Sequence, residues 1–171
     1  MKRKILIPGG AVVVAAVVAV LLLATGGSAK NTSAHAAPAV AVGVKQTALG
    51  KTLVDANGRT LYLFEADRPN RSTLSQAGLA VWPAFTSNAT PRATGGAVSG
   101  LIGTITGPGG RRQVTYGGHP LYYFVGDRSP GSVSGQRLNS FGAVWYVLSP
   151  NGNAITRAAS SPATAPPAYG Y

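Results

Sequence analysis

The chain has 171 residues, 15 of them Lys or Arg against 4 Asp or Glu, for a formal charge of +11. Charged residues make up only 11%, well below the roughly 25% of an average soluble domain, and Gly 23 with Pro 12 marks a chain of many turns. With Cys 0, disulfides, thiolate metal sites, thiol nucleophiles and lipid-modified cysteine are excluded.

Lys2-Arg3-Lys4 precede an apolar run from Ile5 to Thr25. Two readings compete for residues 1–29: a cleaved secretory signal, with Ala34-His35-Ala36 as a distant cleavage site, or a retained hydrophobic helix that anchors the chain in the plasma membrane. Under both, everything after residue 30 faces out, so the expected location is extracytoplasmic. Residues 30–39 read as a linker of small residues without periodicity. From Val40 on, the basic excess is +7, which favours anionic cell-wall polymer or a membrane surface. The basic residues are scattered over the chain, and no nucleic-acid partner is expected.

Residues 50–72 and 110–132 then repeat one phrase at an offset of sixty, with nine identities in twenty-three positions. Leu61-Tyr62-Leu63-Phe64 through Asp67-Arg68 returns as Leu121-Tyr122-Tyr123-Phe124 through Asp127-Arg128. In the first copy, 52–55, Asn57-Gly58 and 60–65 predict a β-hairpin closed by a type I′ turn. The second copy predicts the same over 113–116, Gly117-Gly118 and 120–125. Alternation places Tyr62 and Phe64 on one face and Leu61 and Leu63 on the other, so these strands are expected to be covered on both sides. Thr73-x-x-Gln76 is a weak capping box for one or two helical turns through Ala80, ended by Trp82-Pro83. Residues 101–106 predict a strand before the turn Gly107 to Gly110, and Val40 to Gln46 its counterpart. Phe141 to Val147 predicts the closing strand, followed by a turn at Asn151-Gly152.

The expected fold is all-β (β-rich): two pseudo-symmetric β-hairpin repeats packed into one compact domain, with an N-terminal hydrophobic helix and a disordered C-terminal tail. The boundaries are repeat 1 at 40–90, an inter-repeat connection at 91–100, repeat 2 at 101–157 and the tail at 158–171.

Tyr62/Phe64/Asp67 and Tyr122/Phe124/Asp127 both fit Tyr-x-(Phe/Trp/Tyr)-x-x-Asp. With Gln113 to Asp127, Ala80-Val81-Trp82-Pro83 and Phe141 to Trp145, the chain resembles the bacterial secreted-repeat lipoprotein family over about residues 42–157. The resemblance implies an envelope repeat domain of unestablished function. Such relatives typically carry a Cys-x3-Cys pair where this chain has Leu74 and Gly78, and many carry a lipid-attachment cysteine, which is also missing.

The Tyr-x4-Asp pairs carry two readings. An Asp past a strand end accepts backbone N–H groups in its own turn, and a Tyr fills the core while its hydroxyl finds a partner. Alternatively the two copies line a shallow binding site of Tyr62, Phe64, Asp67, Arg68, Tyr122, Phe124, Asp127 and Arg128, suited to a sugar or polymer segment. No catalytic, cofactor or metal residues are expected. His119 stands without a Gly-x-Ser-x-Gly elbow, and one His with scattered acids makes a poor metal site. The expected role is a non-enzymatic binding or structural module. The alternative is a wall-glycan hydrolase using Asp67 and Asp127, which requires two carboxylates with pKa values pushed apart.

Overall fold

A computed structural model of the protein describes residues 40–159. The leader, the linker and the tail beyond Ala159, for which a signal or anchor helix and disorder were expected, lie outside the described residues. Within them the chain is β-rich, with nine short strands in three small sheets and one α-helix.

In the first sheet β1 (Ala41–Thr47) pairs antiparallel with β2 (Gly50–Asp55), from Val42 opposite Asp55 to Thr47 opposite Gly50. The stretch Val40 to Gln46 is thus a strand, as expected. The third sheet repeats this with β5 (Ile102–Thr106), β6 (Arg112–Tyr116) and β7 (His119–Pro120), again antiparallel. The connection between the copies is itself structured. Its β4 (Arg92–Ala93) lies parallel to β1.

The middle sheet mixes the copies. Strand β3 (Tyr62–Phe64) leaves its own hairpin and pairs with β9 (Ala143–Val147) of repeat 2, with Tyr62 opposite Val147 and Phe64 opposite Trp145. Strand β8 (Asn139–Ser140) completes the sheet. The reciprocal exchange also occurs. The amides of Tyr123 and Val125 in repeat 2 donate to the carbonyls of Pro83 and Val81 in repeat 1, at 2.9 and 3.1 Å. Where the two exchanged segments cross, Tyr62 and Tyr122 trade both backbone hydrogen bonds, at 2.9 and 3.0 Å.

The two-sided burial read from the alternation is present. Leu61 and Leu63 enter one core cluster with Val42, Leu53, Val114 and Leu121, while Tyr62 and Phe64 enter a second with Leu49, Trp82, Tyr122 and Trp145. Each large apolar side chain moved from water into such a core contributes roughly 1.5–3 kcal/mol.

Several local expectations are corrected. The first hairpin does not close with a type I′ turn, because Gly58 (φ 79°) has positive φ but Asn57 does not. Asp55 explains the difference: its Oδ1 accepts the amides of Asn57 and Arg59, each at 2.9 Å, and holds a longer loop in which only Gly58 is left-handed. The second copy has no carboxylate there, and Gly117 (φ 59°) and Gly118 (φ 83°) make the two-residue turn that was expected. The helix α1 (Gln76–Val81) starts later than the Thr73 capping box, since Ser75 is its N-cap and accepts the Gly78 amide at 3.2 Å. Phe141 lies outside the closing strand. With φ 58° beside Gly142 at 95°, it forms the turn between β8 and β9 and is exposed.

Candidate functional site

The motif tyrosines stand on the exchanged segments, and their hydroxyls reach across the repeat boundary. Tyr62 of repeat 1 donates to Asp127 Oδ2 of repeat 2 at 2.8 Å, and Tyr122 of repeat 2 donates to Asp67 Oδ2 of repeat 1 at 2.7 Å. The Tyr and Asp of each Tyr-x4-Asp motif therefore bond to the other copy's partner rather than to each other.

Each carboxylate is also bound into its own turn. Asp67 Oδ1 accepts the Thr73 amide at 2.6 Å and the Thr73 hydroxyl at 3.0 Å, and Asp127 Oδ1 accepts the Ser134 amide at 2.9 Å. This is why Thr73 cannot cap the helix. Tyr122 Oη lies 2.7 Å from Ser72 Oγ, and the Gly135 amide donates to Tyr62 Oη at 3.3 Å. A side chain at 135 would stand 2.7 Å from the Trp82 ring, so only glycine permits this approach.

Between the tyrosines lies a stack of four rings in the order Phe64, Trp145, Trp82, Phe124. The tryptophans are parallel, with centroids 3.8 Å apart and an interplanar angle of 2°. Phe64 stacks on Trp145 and Phe124 on Trp82, both at 4.4 Å. Tyr62 meets Trp82 edge-on at 5.3 Å, and Tyr122 meets Trp145 the same way at 5.3 Å. The Phe–Trp stacking and the Tyr–Trp edge contact each recur on both sides of the pseudo-dyad, while Tyr62, unlike Tyr122, also meets a phenylalanine edge-on, Phe124 at 6.5 Å. Each such pair adds about 0.5–1.5 kcal/mol beyond area burial.

Of the eight candidate residues, the structure brings six into this cluster. Tyr62, Tyr122 and Phe64 are buried, and Phe124 is half-buried. Asp67 and Asp127 are half-buried at its two ends, whereas Arg68 and Arg128 are exposed. The basic residues that bear on the carboxylates are His119 for Asp67 and Arg59 for Asp127, two residues that align with each other in the repeat. Burial is the main cause that raises both carboxyls above their ordinary value, against the lowering effect of the tyrosine hydrogen bonds. Burial likewise raises Tyr62 and Tyr122 well above the usual tyrosine range.

A third cross-repeat Tyr–Asp pair breaks the symmetry. Tyr123 stands where repeat 1 has Leu63; its hydroxyl donates to Asp55 Oδ2 at 2.9 Å, and Arg59 lies over its ring at 4.0 Å. The sequence reading places Asp55 at a strand end beside a hairpin turn and Tyr123 within a strand, and pairs neither with the other. It also misses the tryptophan stack, although Trp82-Pro83 and Trp145-Tyr146 recur sixty-three positions apart. Among the described residues no three or more His, Cys, Asp or Glu side chains come together as a metal-binding group.

Exchanged segments, reciprocal Tyr–Asp bonds and a shared ring stack define a tandem-repeat β-protein whose two copies contribute jointly to both core clusters. The family model described as a secreted repeat of unknown function matches residues 43–86 and 103–149, and the chain belongs to that family. The two matched segments begin sixty positions apart and each holds one Tyr-x-Phe and one Trp stretch. No curated protein and no solved structure matches. The description as secreted agrees with an extracytoplasmic location, and among the described residues no helix is long and apolar enough to cross a membrane.

In the structure Leu74 and Gly78, which replace the cysteine pair of the resemblance, face each other. The Leu74 side chain occupies the space over Gly78, with its Cδ1 only 2.5 Å from where a Cβ would sit.

Proposed function

We propose that the protein is a non-enzymatic binding module of the cell envelope that associates with anionic polymers or lipid surfaces through its positive field. One observation carries this reading. The eleven Lys and Arg side chains among the described residues are all exposed, whereas three of the four carboxylates are turned onto tyrosines. Only Glu65 is an exposed acid. A formal charge of +7 over residues 40–159 thus reaches solvent with little local compensation. A polyanion meeting such a surface gains affinity from many weak contacts, without a deep pocket.

A glycan hydrolase is less well supported by the same residues. Asp67 and Asp127 are shifted in the same direction by the same cause, and both oxygens of each carboxylate are engaged by protein donors. Acid and base roles need the two pulled apart.

The test is sedimentation with purified cell wall and with vesicles containing anionic or only zwitterionic lipids, at rising salt. Binding to wall or anionic vesicles should weaken steeply as the Debye length contracts from about 30 Å at 0.01 M to about 8 Å at 0.15 M. Salt-independent binding would contradict the electrostatic reading. Turnover of a glycan panel that vanishes in Asp67→Asn would replace it with the hydrolase.

A further inference from the structure

Apart from Met1, the sequence contains no methionine, and it contains no cysteine. Sulfur side chains ordinarily take up oxidants in proteins, through the sulfenic acid and sulfoxide ladders. Without them, the most easily oxidised groups of this chain are its tryptophans and tyrosines. Both tryptophans of the sequence lie in the parallel stack, and each is met edge-on by a buried tyrosine.

A core needs aromatic rings but has no need to end them on carboxylates. Here each terminal phenol donates to a carboxylate oxygen at 2.7–2.8 Å, within direct proton-transfer reach. The rings of Tyr62, Trp82, Trp145 and Tyr122 are shut off from water. A tyrosine that lost only an electron would leave an uncompensated positive charge in that interior, at high cost. A phenol already bonded to a carboxylate avoids this, because its proton can leave as the electron does.

We propose that the array Asp127–Tyr62–Trp82–Trp145–Tyr122–Asp67 is a one-electron relay that takes an oxidising equivalent onto the tryptophan stack and holds it on a terminal tyrosine. A one-electron oxidant, such as a high-valent metal complex or a small radical, removes an electron from the stack and leaves a tryptophan radical cation. Tyr62 then gives one electron to Trp82. Its O–H bond breaks, and the proton forms a new O–H bond at Asp127 Oδ2. The products are neutral Trp82, a neutral Tyr62 phenoxyl radical and protonated Asp127, so this transfer leaves the net charge unchanged and the positive charge gained on oxidation ends by neutralising the carboxylate. Tyr122 and Asp67 perform the mirror step from Trp145. A one-electron donor such as ascorbate or a small phenol restores the phenoxyl, and the proton returns from the carboxyl. Burial makes both carboxylates better proton acceptors than exposed ones. The relay does not depend on the binding role proposed above.

The experiment is transient absorption on the full chain after flash generation of tris(bipyridine)ruthenium in its oxidised form. The tryptophan radical signal is expected to convert into a tyrosyl signal, more slowly in heavy water than in light water. Tyr62→Phe combined with Tyr122→Phe keeps the rings and should lose the tyrosyl signal while prolonging the tryptophan radical. Asp67→Asn with Asp127→Asn keeps an acceptor oxygen at each end but should slow the conversion. No conversion in the unaltered chain, equal rates in the two waters, or an undiminished tyrosyl signal in the double Phe variant would each overturn the relay. The solvent comparison needs no variant, so it decides the matter even where a substitution prevents folding.

Discussion

Tyr62 and Tyr122 each do with one hydroxyl what an aliphatic residue could not: they tie the interior of one repeat to the turn of the other. Replacing either by Phe leaves a half-buried carboxylate without its donor. Loss of a buried hydrogen-bond partner costs about 1–3 kcal/mol, so Tyr62→Phe and Tyr122→Phe should each lower the unfolding free energy by that amount, read as a fall in urea midpoint at an unchanged m-value. The carboxylates also set a pH dependence. Their folded values stand above the ordinary 3.8, so the folded chain holds these protons more tightly than the unfolded one. The resulting stabilisation is complete below the ordinary value and is lost as pH rises through the raised ones. Relative to Asp67→Asn/Asp127→Asn, the unaltered protein should therefore gain stability as pH falls from neutral toward 3.8. A difference that shrinks over that range would refute the assignment. The motif residues themselves were legible in the sequence, because duplication at constant offset singled them out. Their crossing over was not, since spacing along the chain does not say which copy's Asp a Tyr will meet.

At the level of elements, the two hairpins share an origin but turn by different means. The first relies on the Asp55 carboxylate gathering two amides, the second on two consecutive left-handed glycines. A Cβ in the left-handed region costs about 1–2 kcal/mol. Gly118→Ala, at φ 83°, should destabilise by that amount in thermal or urea unfolding. Reading Asn57-Gly58 as a type I′ turn failed because a dipeptide preference was weighed without the side chain two residues earlier. The same kind of competition displaced the helix cap, as Asp67 claims Thr73 and leaves Ser75 to start α1. The strands were legible where apolar alternation was strong, as at 61–64. The bonding of Tyr123 and Val125 onto Val81–Pro83 left no such trace, since α1 and a proline stand where a strand pattern would be read.

For the whole molecule, the exchange of segments makes the two copies one cooperative unit. Repeat 1 taken alone would expose Tyr62, Phe64 and Trp82 and lose the β9 partner of β3, while repeat 2 would lose the carbonyls of Val81 and Pro83. A chain of about half this length buries only about 60% of the surface its unfolded form exposes and is marginal on its own. The charge distribution belongs to this scale too, because only the joined copies turn Asp67 and Asp127 inward onto the tyrosines and leave the cations facing solvent. The measurement that bears most directly on the clasp is circular dichroism and amide NMR of residues 40–90 and 101–157, prepared as separate polypeptides and then mixed. Each alone should lack dispersed amide signals and a cooperative melt, and the mixture should regain both, with near-ultraviolet ellipticity from the paired tryptophans. A separate half that melts cooperatively with native-like dispersion would contradict the account.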